Sequence, residues 1–102
     1  MGQWIEVAKI DDIGPGGLTV RVGEEEVLLV RDGDKVYALA GLCSHQEMEL
    51  QGGHVEGGAW VCPHHGAKFD LSTGDALSMP AIEAISVFDV RVEAGKVSVL
   101  IR

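Results

Sequence analysis

Two short patterns in this sequence place sulfur and nitrogen donors side by side. They are Cys43-Ser44-His45 and Cys62-Pro63-His64-His65-Gly66. Thiolates and imidazoles are ligands for transition metals. Each pattern sets one of each within a tight turn. Residues 46–61 separate His45 from Cys62, so two such turns brought together offer two sulfurs and two nitrogens. Cys43 and Cys62 are also the only cysteines. In a cytosolic chain a structural disulfide is not expected. Cysteines with histidines at short fixed offsets read instead as a metal site.

Two Cys and two His suit tetrahedral zinc. Zinc fingers, however, group Cys with Cys and His with His, whereas here each loop supplies one of each. That arrangement suits a binuclear centre, one metal taking both thiolates and the other both imidazoles. Zinc, or two reduced cysteines with no metal, remains the alternative at this level.

The elements that must position these loops read as β. Trp4–Ile10 partly alternates, and Leu18–Val22 alternates cleanly, with its apolar side chains on one face. Glu26–Arg31 is an apolar run with charged ends, followed by Lys35–Leu39. These are strand lengths and strand compositions. Asp32-Gly33 between two strands is a strong hairpin signal. Gly57-Gly58 joins His54–Glu56 to Ala59–Cys62, and Glu93-Ala94-Gly95 joins Ile85–Val92 to Lys96–Ile101. The last pair is the clearest antiparallel hairpin of the sequence. Between about 41 and 80 strand signals are short and glycines frequent, and both cysteines and all four histidines fall there. The reading is an all-β single domain, 1–102, with an antiparallel β base carrying a small loop-rich ligand subdomain at about 41–80.

Composition narrows the function. At 102 residues the core is modest, and a metal that cross-links loops would add rigidity. A formal net charge of −8 argues against nucleic acid and allows long-range attraction to a basic partner. No apolar run approaches the ~18–20 residues of a membrane span. Met1–Glu6 lacks the basic start and apolar stretch of a signal peptide, so a cytoplasmic location is expected.

Cys-x-His, sixteen residues, then Cys-x-x-His resembles the signature of Rieske-type [2Fe–2S] proteins, in which two histidines replace two cysteines on one iron. The surroundings extend the likeness. Gly66–Gly74 is similar to the stretch after the second ligand pair in that family. Met79-Pro80-Ala81 falls where the family has a proline loop covering the cluster. The resemblance implies one [2Fe–2S] cluster per chain, with Cys43 and Cys62 on the inner iron and His45 and His65 on the outer one. It also implies the Rieske iron–sulfur fold.

High-potential members of the family carry two further cysteines that bridge the loops, and Met48 and His64 stand at those positions. They also place a serine and a tyrosine hydroxyl near the cluster sulfurs, where this chain has Ala67 and Phe69. Removing donors destabilises the more negative reduced cluster, so the potential falls. Within a Rieske range of about −150 to +300 mV this chain is expected near the low end. With about 59 mV for each factor of ten, a drop of ~300 mV corresponds to roughly 7 kcal/mol. That shift is large enough to separate carriers fed from NADH from those that oxidise quinol.

The resemblance therefore points to the ferredoxin of a bacterial aromatic-ring-hydroxylating dioxygenase. Its implied partners are a flavoprotein ferredoxin reductase and a terminal oxygenase. Only His54 and His64 remain beyond the ligands, so no 2-His-1-carboxylate iron site is expected. The chain reads as an electron-transfer component and not as the enzyme itself. Two other readings are the small Rieske-like subunit of an assimilatory nitrite reductase and a zinc-stabilised interaction protein.

Several residues carry lesser expectations. His64 is expected as an exposed neighbour of a ligand, with His65 preferred as the ligand because Gly66 follows it. His54 is expected on the surface. Gln46, Glu47 and Met48 would border the cluster edge, and Pro80 would cover the cluster. Glu24-Glu25-Glu26 reads as a solvated turn, and Trp4 and Trp60 as packing residues.

Overall fold

The computed structural model describes residues 2–23, 25–41, 50–63, 66–77 and 84–101. Ten strands occur there. They are β1 (Gln3–Lys9), β2 (Leu18–Val22), β3 (Glu25–Asp32), β4 (Lys35–Ala40), β5 (His54–Glu56), β6 (Ala59–Val61), β7 (Lys68–Asp70), β8 (Val87–Phe88), β9 (Val90–Glu93) and β10 (Lys96–Ile101). A single 3-10 turn, Ile10–Asp12, is the only helical element among the described residues. The strands form three antiparallel sheets, ordered β1-β10-β9, β2-β3-β4-β8 and β5-β6-β7.

The middle sheet explains the apolar run in β3. Val27, Leu28, Leu29 and Val30 are all buried, so this strand is covered on both faces. Leu28 and Val30 belong to one core with Leu39, Leu50, Trp60, Cys62 and Phe69. Val27 and Leu29 belong to a second core with Ile13, Val22, Ala38, Val97 and Val99. Side chains alternate across a strand, so consecutive residues of β3 serve two different cores. The first core lies toward β5-β6-β7, the sheet that carries the second ligand pattern.

The hairpins form at the expected turns. Asp32 pairs with Lys35 and Gly33 has φ +63°. Glu56 pairs with Ala59 across Gly57-Gly58, whose φ values of +57° and +80° favour glycine. Three expectations need correction. Ile85–Val92 is not one strand: Val87 and Phe88 pair with β4, while β9 pairs with β10. The chain changes sheets at Asp89, whose carbonyl accepts the Leu100 N–H at 2.9 Å. The alternation of apolar residues runs through that corner without a break, which hides it in the sequence. Glu25 and Glu26 are not turn residues but open β3, where Arg21 faces Glu26 across the strand pair; Glu24 lies outside the described residues. Ile10 leaves β1 and enters the 3-10 turn.

Candidate metal centre

The second ligand pattern sits at the tip of the β6–β7 hairpin. Trp60 pairs with Phe69 and Val61 with Lys68. The ladder then continues one step, with the Cys62 N–H donating to the Ala67 carbonyl at 2.7 Å. The Gly66 N–H donates back to the Cys62 carbonyl at 3.1 Å. Gly66 has φ +70°, a left-handed conformation that glycine adopts without strain. These two bonds fix the base of a loop whose tip is Pro63–Gly66. Residues 64 and 65 lie outside the described residues, and the bonds around them hold both ends of that stretch.

The first pattern is bounded in a similar way. Gly41 donates its N–H to the Glu26 carbonyl at 2.9 Å, and Leu50 donates its N–H to the Gly41 carbonyl at 3.0 Å. The ends of 42–49 are therefore joined directly. Cys43, His45, Gln46, Glu47 and Met48 are outside the described residues. Leu50 is buried, and its carbonyl accepts the Trp60 indole N–H at 2.8 Å. Beyond it, Gly52 donates to the Gly16 carbonyl at 2.8 Å, and the Gln51 side chain accepts the Thr19 N–H at 2.9 Å.

A third stretch, bearing Pro80, begins and ends on the same framework. Leu77 donates its N–H to the Lys68 carbonyl at 2.8 Å, and Ile85 donates to the Gly74 carbonyl at 2.9 Å. Pro80 itself lies outside the described residues. Leu77 is 53% exposed. The bases of all three stretches thus follow one path along hydrogen bonds and backbone: Leu50 to Trp60, through Val61 to Cys62, then Ala67, Lys68 and Leu77.

Cys62 is buried and makes no disulfide. Its core neighbours include Ala67, Phe69 and Leu71, all buried. A thiolate in such surroundings needs a counter-charge, and a metal ion supplies one. The donor chemistry therefore fits a thiolate-bound metal centre. Among the described residues no three of His, Cys, Asp and Glu gather into a metal-binding group; Cys43, His45 and His65 fall outside them. Ala67 and Phe69, expected to lack hydroxyls near the cluster, are both fully buried beside Cys62.

The outer face of β5-β6-β7 is polar. Lys68 Nζ donates to Glu56 Oε1 at 3.0 Å, and His54 Nε2 lies 3.4 Å from Glu56 Oε2. Lys68 and His54 hold the Glu56 carboxyl below its usual range, chiefly through the Lys68 hydrogen bond. Asp70 is held low first by the Ser72 hydroxyl, then by the Ser72 and Thr73 N–H groups. This turn leads the chain from β7 toward Gly74. His54 is exposed, as expected. Trp60 is buried as expected, whereas Trp4 is 38% exposed and lies under the Arg91 guanidinium, 4.5 Å from its ring centre. The Trp60–Leu50 bond was not foreseen from the sequence. The signal available was a tryptophan two residues before a candidate ligand cysteine.

An antiparallel β framework with a buried, disulfide-free cysteine at the end of a short hairpin is the class of fold on which a thiolate-bound metal centre can sit. Comparison with known proteins supplies the family. The profile of the Rieske [2Fe–2S] domain matches residues 3–89, and the chain belongs to that family. It is a [2Fe–2S] protein, and the zinc reading is set aside. The ferredoxin component of naphthalene 1,2-dioxygenase/salicylate 5-hydroxylase systems of Ralstonia sp is 35% identical over 96 residues, covering 93% of this chain and 92% of that protein. The ferredoxin of carbazole 1,9a-dioxygenase from Nocardioides aromaticivorans IC177 superposes with a TM-score of 0.87 at 35% identity, covering 94% of this chain and 95% of that one. A solved complex of reduced oxygenase and oxidised ferredoxin in carbazole 1,9a-dioxygenase contains a chain that matches at 36% identity with a TM-score of 0.82, covering 94% and 91%. Among the described residues no helix is long and apolar enough to cross a membrane.

Proposed function

We propose that this chain is the ferredoxin of a multicomponent aromatic-ring dioxygenase. It takes one electron from an NAD(P)H-dependent flavoprotein reductase and passes it to a terminal Rieske non-haem iron oxygenase, in the cytoplasm. The observation that carries the reading is the likeness, near 35% identity over almost the whole of both chains, to ferredoxin components of such systems. The same relatives favour it over the small subunit of a nitrite reductase. The chain is a carrier, and the oxidation of substrate belongs to the partner.

Cys43 and Cys62 hold the inner iron and His45 and His65 the outer one, within a subdomain of about 41–80. The bound cluster supplies one reversible electron per cycle. The chain's own contribution is placement. The hairpin bonds at Cys62 and Ala67 hold one loop and the Gly41–Leu50 bond holds the other. Ala67, Phe69 and Leu71 keep water from the thiolate side.

The test uses purified protein reconstituted anaerobically with iron and sulfide. A red-brown spectrum, with the EPR signal of mixed His/Cys ligation after reduction, is expected. NADH-dependent reduction through a flavoprotein reductase should then be followed by reoxidation by a terminal oxygenase. Cys43→Ser and His65→Ala should each prevent stable assembly. Either variant with two irons, two sulfides and the parent spectrum would overturn the ligand set. Reduction of nitrite in place of electron delivery to an oxygenase would overturn the partner assignment.

A further inference from the structure

We infer that Trp60 is a positioning residue that sets the two ligand-bearing loops relative to each other, an inference that rests on the ligand reading above. Trp60 is fully buried on β6, two residues before Cys62. Its indole N–H donates to the carbonyl of Leu50, which leaves the first loop. Leu50 in turn donates its own N–H to Gly41, where that loop begins. One side chain thus ties the base of the first loop to the strand that carries the second. In the middle of a sheet the backbone does this work; here β6 pairs with β5 and β7, and Leu50 meets it through the indole.

The indole lies in a slot made by two glycines. A Cβ on Gly53 would come within 3.2 Å of Trp60 Cε2 and would run into the Val61 carbonyl. A Cβ on Gly17, where φ is +82°, would stand 3.3 Å from Trp60 Cη2. The ring therefore has little lateral freedom, and its N–H direction is set by the slot. Buried carbonyls need a partner. Among the described residues the indole N–H is the donor to the Leu50 carbonyl, so its loss leaves that carbonyl without this bond and the loop base gains an alternative position.

The test separates the N–H from the ring. β-(3-Benzothienyl)alanine, in which sulfur replaces the indole N–H at nearly the same shape, is placed site-specifically at position 60. Trp60→Phe is the second variant, and Val97→Ala, in the other core, is the stability control. The holoproteins are compared below their unfolding temperatures by the rate of iron release to a chelator and by EPR line width. Both Trp60 variants are expected to release iron about tenfold faster, the order of a lost buried hydrogen bond, with broadened EPR lines. Val97→Ala is expected to keep the parent rate and line shape. Parent behaviour in the benzothienyl protein would overturn the inference, as would equal effects of Val97→Ala. Failure of the ligand reading shows separately, as a native cluster in Cys43→Ser.

Discussion

Leu28 and Leu29 are adjacent, both fully buried, and face opposite cores. Truncating each in turn gives a comparison at matched chemistry. In a close-packed core Leu→Ala costs about 2.7–5 kcal/mol, the transfer term plus the cavity. Against a total stability of about 5–15 kcal/mol for a domain, either change is severe but survivable at low temperature. At ~3 kcal/mol the melting temperature should fall by roughly 12–24 °C, taking about 4–8 °C per kcal/mol for a chain of this size. The two variants should then differ in one respect. Leu28 lies against the Trp60 slot: the same point that a Gly17 Cβ would occupy is 2.7 Å from Leu28 Cδ1 and 3.3 Å from Trp60 Cη2. A cavity there opens beside the core that contains Cys62. A cavity at Leu29 opens against Val97 and Val99. At 10 °C, with far-UV circular dichroism confirming folded protein, Leu28→Ala should lose its visible cluster spectrum to a chelator much faster than Leu29→Ala. Equal rates in the two would refute the division of β3 between an independent base core and a core that supports the metal centre.

Two further outcomes follow from the site. The midpoint potential should lie below about 0 mV, and Ala67→Ser with Phe69→Tyr should raise it by on the order of 100 mV, since hydrogen bonds to charged acceptors reach about 1.5–3 kcal/mol and ~59 mV is a factor of ten; protein-film voltammetry checks both, and an unchanged potential would refute the role given to the missing hydroxyls. Asp70 is depressed from its ordinary value of 3.8 by the Ser72 hydroxyl and two N–H groups, so its contribution is present above the unfolded value and is lost as pH falls through the folded one. Ser72→Ala should therefore weaken the acid-side loss of stability below about pH 4, read from melts across pH 2–5, and an unchanged acid profile would count against that turn.

The sequence made the chemistry legible before the architecture. Two cysteines and two histidines at fixed offsets pointed to one cofactor class, and family membership bears that class out. Hairpins were legible where glycines interrupt alternating strands, as at Asp32-Gly33 and at Gly57-Gly58. What could not be read were features that depend on which sheet a strand joins. Val87–Phe88 and Val90–Glu93 share one alternating pattern, yet pair with different strands. β7 is three residues long and lies within a stretch that resembled a ligand loop, so its pairing with β6 was invisible to periodicity. Trp4 was expected to pack and does so, but against Arg91 at the surface and not in a core. Its alternation with Ile5 gives the reason: Ile5 pairs with Val99 on the inner face, so Trp4 points out. Of the four candidate ligands, Cys43, His45 and His65 lie outside the described residues.

The sheet that carries Cys62 has three strands of three residues each. Such a sheet is too small to hold its shape in water without a packed face. Its inner side chains, Val55, Trp60 and Phe69, rest on Leu28 and Val30 of β3, Leu39 of β4 and Ile85. All four of those supports come from outside 41–80. The loop-rich part is thus distinct in pairing but dependent in packing, for its core is completed by strands that belong to the base. The residues that flank 42–49 and 64–65 are bonded to each other, Leu50 to Gly41 and Cys62 to Ala67, and Leu50, Cys62 and Ala67 are buried, so the base core holds the framework on either side of both stretches.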